Sequence, residues 1–333
     1  MKILLATDAW LPQVNGVVRT LTALMRELTE LSHTVTVMHP GQFPGFACPG
    51  YPEIRLAIAL RGRVARLIED EGPDAIHIVT EGPIGFAVRH WCIKKGGKFT
   101  TAYHTRFPEY LAGRHLAPAG LTYSLLRQFH RPSTGVMVAT PSIARELAER
   151  GFDRLRPWTR GVDSGIFSPE RRIEDFGFPR PIFLNVGRIA PEKNLPAFLS
   201  LDLPGSKVVI GEGPQLPELR RRFPDVHFLG RRENGKLAAI YASADAFVFP
   251  SQTDTFGLVM LEALASGLPV AAFPVPGPID VIGKSGAGVL HEDLRTAALA
   301  ALHISRLHCR EYAMSFSWQN CATQFVEHLC PLH

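Results

Sequence analysis

Apolar residues follow two rhythms along this chain. Ile3-Leu4-Leu5-Ala6-Thr7 is almost unbroken, whereas Val17, Leu21, Leu24, Leu28 and Leu31 recur every three or four residues. The first rhythm predicts a strand buried on both faces, and the second an amphipathic helix over 17–31. The alternation continues. Strands are predicted at Thr34–Met38, Ala75–Val79, Phe99–Ala102, Val136–Ala139 and Leu155–Trp158, and helices near Val64–Asp70, Ile84–Lys94, Leu121–Phe129 and Ile143–Glu149. Strand–helix alternation at this pitch predicts a parallel sheet covered on both faces. From Gly161 to Pro181, Gly, Pro and the run Glu170-Arg171-Arg172 interrupt it, as an interdomain linker would. Strands then restart at Ile182–Val186, Lys207–Ile210, Val226–Leu229, Ala246–Phe249 and Val270–Phe273, and the chain from Ala297 onward has a helical pattern.

The fold class is therefore α/β, with two doubly wound parallel-sheet domains. The expected division is 1–165, a linker at 166–181, a second domain at 182–305, and a helical segment at 306–333 packing back towards the first domain. Ligands of such sheets lie beyond the carboxyl ends of the strands, so a cleft between the two domains is the expected site. One nucleotide-binding domain joined to an unrelated α/β domain stays open on pattern alone.

Composition narrows the partners. With 36 basic and 31 acidic residues the net charge is +5, which suits an anionic substrate or membrane surface. No clustered basic stripe points to nucleic acid. The opening MKILLATDAW has the pattern of a first strand rather than a leader, and no apolar run approaches the roughly 20 residues of a membrane span. Five scattered cysteines without a CxxC pair suggest a reduced, cytoplasmic protein. The 13 histidines form no HExxH or other metal-ligand spacing, so no metal centre is expected.

Candidate chemistry is densest in the second half. Pro250 to Val270 has the sequence of a strand exit, a polar turn, a helix and the next strand. Asp254 or Thr255 can cap that helix and Gly267 can end it. The amides of Phe256, Gly257, Leu258 and Val259 would form an anion site suited to a diphosphate. Asp254 could accept hydrogen bonds from sugar hydroxyls or merely cap the helix. Glu262, inside an otherwise apolar run, needs a partner. Asn185 to Asn194 leads from a strand into a basic loop, where Arg188 can grip a diphosphate bidentately and Lys193 adds a point charge. In the first half, Asn15 and Gly16 precede a helix, while Glu81 and His104 each follow a strand.

These segments resemble the retaining GT-B glycosyltransferases of family 4, which include bacterial mannosyl-, glucosyl- and sulfoquinovosyl-transferases. The GRxxxEKN loop matches at Gly187, Arg188, Glu192, Lys193 and Asn194, and Gly211-Glu212-Gly213-Pro214 matches the GxGP turn. The Glu-x7-Glu signature matches at Glu262, but Asp254 fills its first position, one methylene shorter. HTxFxxY matches at His104, Thr105, Phe107 and Tyr110, with Arg106 where relatives often carry Asn. Phe228 to Arg232 matches the stretch against which the base lies, and Thr159 to Asp163 resembles an NGVD segment with Arg160 for its Asn.

The resemblance implies the GT-B fold and transfer of a hexose or hexuronate from a nucleoside-diphosphate sugar, UDP favoured. It also implies that no metal or other cofactor is required. It makes Asn15, Gly16, Arg188, Lys193, Gly213, Arg231, Asp254, Phe256, Gly257, Leu258, Val259 and Glu262 donor-binding candidates. His104, Arg188, Lys193 and Asp254 are the catalytic ones; Arg106 and Tyr110 are acceptor-side candidates, as is Glu81 from its place after a strand, though it could equally cap the next helix. Arg106 could face an acidic sugar or a lipid phosphate, or could simply lie on the surface.

A membrane lipid such as diacylglycerol is the expected acceptor. Arg61 to Arg66 and Phe107 to Leu116 are candidates for peripheral contact with an anionic leaflet on the inner face of the cell membrane. The alternatives are a GDP-mannose-dependent mannosyltransferase, a soluble acceptor such as an oligosaccharide or polyol, and a non-catalytic nucleotide-binding protein on the same scaffold.

Overall fold

The computed structural model describes residues 1–13, 15–48, 51–113, 117–174 and 176–333, the side chains of 51–54 and 234 excepted. Val14 of the first loop, 114–116 of the basic–apolar segment and 175 of the expected linker thus lie outside the described residues. The chain forms two compact units, one of Met1–Thr159 with Trp318–His333, the other of Arg160–Ser317.

The first unit contains β1 (Lys2–Ala6), α1 (Gly16–Glu30), β2 (Thr34–Met38), β3 (Gly45–Cys48), β4 (Tyr51–Ala57), α2 (Arg61–Glu71), β5 (Ala75–Ile78), α3 (Pro83–Lys95), β6 (Thr100–Tyr103), α4 (Phe107–Gly113), α5 (Ala119–His130), β7 (Gly135–Val138), α6 (Pro141–Glu149) and β8 (Leu155–Pro157). Its sheet runs β2-β1-β5-β6-β7-β8, every pair parallel, while β3 and β4 form a separate antiparallel hairpin. The unbroken apolar run of β1 follows from burial on both faces. Leu4 and Ala6 join one core cluster and Ile3 and Leu5 the other, as alternation across a strand requires.

The second unit contains β9 (Ile182–Val186), α7 (Leu195–Leu199), β10 (Ser206–Ile210), α8 (Leu216–Arg222), β11 (His227–Gly230), α9 (Asn234–Ser243), β12 (Ala246–Phe249), α10 (Leu258–Ala265), β13 (Val270–Ala272), α11 (Pro278–Val281), β14 (Gly288–Leu290), α12 (Leu294–Ala301) and α13 (Arg306–Ala313). Its parallel sheet runs β11-β10-β9-β12-β13-β14. Both sheets are doubly wound, as expected. Strand order reverses between β1 and β5 in the first and between β9 and β12 in the second. Such switch points, at the carboxyl ends of the strands, are where open α/β sheets bind ligands.

Two boundaries differ from the expectation. The stretch 166–181 is an arm of the second unit rather than a free linker. Phe167 is buried, the Ile173 amide donates to Ser243 Oγ (2.9 Å), and Ser206 Oγ donates to the Pro179 carbonyl (2.8 Å). The dense charge run masked this one buried aromatic. The segment 306–333 divides. In α13, Arg306 donates to the carbonyls of Ala242 and Ala244, and Arg310 to those of Ser164, Phe167 and Ala265, which ties it to the second unit. The last helix, α14 (Trp318–His328), belongs to the first unit: Cys321, Ala322 and Phe325 share a core cluster with Leu21, Leu24 and Leu28 of α1.

Candidate functional site

In the second unit, two loops leave the carboxyl ends of the strands flanking the switch point, 187–194 after β9 and 250–257 after β12. Side-chain bonds join them. Lys193 Nζ lies 2.6 Å from Asp254 Oδ1, and Asn194 Nδ2 donates to the Pro250 carbonyl (3.2 Å). Ser251 and Thr253 donate from their hydroxyls to the Glu192 carbonyl at 3.3 and 3.2 Å. Asn194 sits in the left-handed region (φ 50°), a conformation Asn tolerates, and so turns the chain into α7. Asp254 Oδ2 is buried and has no hydrogen bond among the described residues, so half of this carboxylate is left unsatisfied.

The helix after the second loop starts differently from the expectation. Neither Asp254 nor Thr255 caps α10. Its N-cap is Gly257 in the left-handed conformation (φ 84°, ψ 66°), which has no side chain to cap with, and Asp254 is turned towards Lys193. The left-handed φ of Gly257 is what calls for glycine there; a Cβ would meet chiefly the movable end of Met260, 2.7 Å from Cε. The uncapped first turn, with Phe256 buried and Leu258 and Val259 half-buried, leaves amide donors for an anion. Glu262, only 6% exposed, meets its need for a partner through Tyr241, whose hydroxyl donates to Oε2 at 3.0 Å. Arg188 is half-buried on the first loop, and Arg231 is exposed beyond β11. Gly213 packs against backbone: a Cβ there would come within 2.3 Å of the Ile189 carbonyl oxygen.

In the first unit, Asn15 caps α1, accepting from the Val18 amide at 2.9 Å, and Gly16 is the first helical residue. His104 follows β6, its ring edge-on to Trp158 at 5.6 Å between centroids. Glu81 turns inward, 3.2 Å from His130 Nε2, both side chains being almost fully buried. Arg106 faces Glu146 on α6 and Glu109 on α4, so its charge is matched within its own unit rather than held out for an acidic sugar. Tyr110 is half-buried on α4.

Sequence reasoning missed Asp8, which stands at the other switch point, directly after β1. Its carboxylate accepts from the amides of Ile84 (2.9 Å) and Gly85 (3.3 Å) and the Thr80 hydroxyl (3.0 Å), capping α3 from 76 residues away. Its place after the first strand was the available signal. Burial raises its pKa, the amide and hydroxyl bonds oppose this, and the charge of Glu81 adds to the rise. With a folded pKa above the unfolded one, its contribution to stability falls as pH rises through the folded value. Asp8→Ala should cost about 2 kcal/mol, with the larger loss at mildly acidic pH. Thermal melts at pH 5 and pH 8 would check this, and equal melting temperatures for the two proteins would refute it.

Among the described residues, no three His, Cys, Asp or Glu side chains converge as a metal site, and no helix is long and apolar enough to cross a membrane. The second unit gathers two cations, an uncapped helix start and a half-satisfied carboxylate at one switch point. Such a set can bind an anion and orient hydroxyl groups next to it.

Residues 14–165 match the model of Glycosyltransferase Family 4, and residues 180–308 that of Glycosyl transferases group 1. The chain belongs to glycosyltransferase family 4. It is thus an enzyme that binds a nucleoside-diphosphate sugar and transfers its sugar to a lipid-like or soluble acceptor, and its two parallel-sheet units are those of the GT-B fold. It is 31% identical to the sulfoquinovosyl transferase of Arabidopsis thaliana over 83% of this chain and 60% of that protein. It is 28% identical to the GDP-mannose-dependent alpha-mannosyltransferase of Mycobacterium tuberculosis (87% and 83%) and 27% to the alpha-monoglucosyldiacylglycerol synthase of Streptococcus pneumoniae (91% and 78%). The structure of Anabaena HepE in complex with UDP and glucose has the same fold, with a TM-score of 0.73 at 16% identity, covering 98% of each chain.

Proposed function

We propose that the enzyme transfers a hexose, with retention, from a UDP-sugar to diacylglycerol or a closely related membrane lipid, without a metal ion. The observation that carries the donor site is the Lys193–Asp254 pair at the second switch point. It sets a cation where a diphosphate would meet the start of α10, and a half-free carboxylate where the sugar hydroxyls would follow. Arg188, Lys193 and the amides near Gly257 would stabilise the charge growing on the leaving diphosphate. Glu262 would anchor the ribose, the base would lie near Gly213 and Arg231, and His104 would steady the reacting sugar.

The lipid acceptor draws support from the diacylglycerol synthase relative and from one surface. On the hairpin and the start of α2, Phe46, Ile58 and Leu60 are 57%, 48% and 66% exposed, and Arg61, Arg63 and Arg66 of α2 are exposed as well. Exposed apolar side chains with basic residues close in sequence suit an anionic leaflet. In this reading the enzyme works in the cytoplasm, bound peripherally to the membrane. Because Arg106 is neutralised by Glu146 and Glu109, a neutral hexose is favoured over a hexuronate.

The purified enzyme with EDTA, diacylglycerol vesicles with or without phosphatidylglycerol, and UDP-glucose, UDP-galactose, UDP-glucuronate or GDP-mannose in turn provides the test. A new glycolipid by mass spectrometry with a UDP-hexose, made faster on anionic vesicles, is the expected result. Product with GDP-mannose alone would overturn the donor. Product only when a divalent ion is restored would overturn metal independence, and no glycolipid with any donor would overturn the acceptor.

A further inference from the structure

We propose that Arg106 is a positioning residue, which fixes the turn carrying His104 by bridging two carboxylates on different helices. The functional consequence rests on the reading of His104 as a group that meets the donor sugar. Arg106 Nη2 lies 2.9 Å from both carboxylate oxygens of Glu146 on α6 and 3.6 Å from Glu109 Oε1 on α4. The Tyr123 hydroxyl on α5 is 2.6 Å from Glu109 Oε1 and 3.0 Å from Glu146 Oε1. One hydroxyl has a single proton and serves one carboxylate at a time. The two acids therefore face each other across it, and a cation is needed to hold them together.

Two arginines supply that charge. Arg150 reaches Glu146 Oε1 at 3.1 Å and lies 3.9 Å over the Tyr123 ring, but its side chain is 41% exposed. Arg106 is the inner one, at 12%. It stands in the turn between β6 and α4, so the network joins that turn to three helices. His104 lies two residues earlier. Its ring meets Trp158, which is fully buried and held through an Nε1 donation to the Cys321 carbonyl at 3.1 Å. Trp158 fixes one wall of the imidazole, and Arg106 fixes the backbone from which it projects. Relaxing the turn by 1 Å is enough to cost a reacting geometry about 100-fold in rate.

Histidine ring resonances give a readout that is independent of substrate, with His104 assigned by its loss in His104→Ala. In the parent enzyme the His104 signal should be displaced by the Trp158 ring. In Arg106→Gln it should move to the position of a free histidine, with Arg106→Lys intermediate. With the donor and vesicles that give product in the assay above, kcat for Arg106→Gln should fall about 10- to 100-fold while the donor KM changes little. A folded Arg106→Gln protein with an unmoved His104 signal overturns the proposal, whatever its rate. Should that variant fail to fold, Glu146→Gln, which leaves Glu109 to the guanidinium, should move the same resonance in the same direction, and an unmoved signal there overturns it equally. Full transfer by His104→Ala would instead discard the reading of His104, and the resonance would still decide the role of Arg106.

Discussion

Lys193→Met should lower glycosyl transfer by about 100- to 1,000-fold, the range seen when one preorganised electrostatic donor is removed from a reacting centre. Three effects act together. The leaving diphosphate loses a cation. Asp254 Oδ1 loses the ammonium 2.6 Å away, while Oδ2 already has no hydrogen bond among the described residues, so the carboxylate is no longer held in place. Its charge is then uncompensated and repels an anionic donor. Asp254→Asn removes the charge and leaves the ammonium in place, so its loss should be smaller. The double variant should be less impaired than the product of the two single losses, because the partners form one unit. The side chains are 27% and 17% exposed, so solvent screens the pair, and stability should change by less than about 1 kcal/mol. Steady-state release of nucleoside diphosphate at several donor concentrations checks this. Rates for Lys193→Met within a few-fold of the parent, or a loss matched by unfolding, would rule out the role of the pair.

Elements were legible where burial writes itself into the local pattern. Thr34–Met38, Ile182–Val186 and Ala246–Phe249 are strands with the bounds their apolar runs predict. The β3–β4 hairpin was hidden by the glycines and prolines around Cys48, and α4 by Pro108 and Gly113, which look like breakers although Pro is tolerated in a helix's first turn. Single site residues were legible too, but their partners were not. Lys193 and Asp254 are 61 positions apart, Tyr241 and Glu262 are 21, and Arg106 and Glu146 are 40. Each pair meets only because of the order in which strands enter the sheet, which no local pattern encodes. Arg106 shows the consequence most clearly. Read locally it is a free cation beside a strand end, and read in the fold it is the counter-ion of two helix carboxylates.

Gly211→Ala should impair both stability and transfer, because position 211 has no room for one carbon. A Cβ there would lie 1.8 Å from the Gly187 carbonyl oxygen, and raising this to the 3.0 Å limit of real contacts requires the two backbones to part by about 1.2 Å. Both are fixed on either side. The Gly187 amide donates to the Ile210 carbonyl (3.0 Å), the Ile189 amide to that of Glu212 (2.9 Å) and the Gln215 amide to that of Ile189 (3.1 Å), while the Gly211 amide donates to Gly230 (3.1 Å). Separation breaks some of these bonds, and the expected cost is about 2–4 kcal/mol, or roughly 5–12 °C in the melting temperature of a unit this size. Arg188 lies inside the displaced loop, so transfer should fall about 100-fold even at temperatures where the protein stays folded. Gly187→Ala is the matched control: nothing lies within 4 Å of its Cβ, and its stability should equal that of the parent. Normal melting and normal kinetics for Gly211→Ala would mean that the turn after β10 does not hold the Arg188 loop through its backbone. A normal melting temperature with lost transfer would instead place Gly211 against the donor itself.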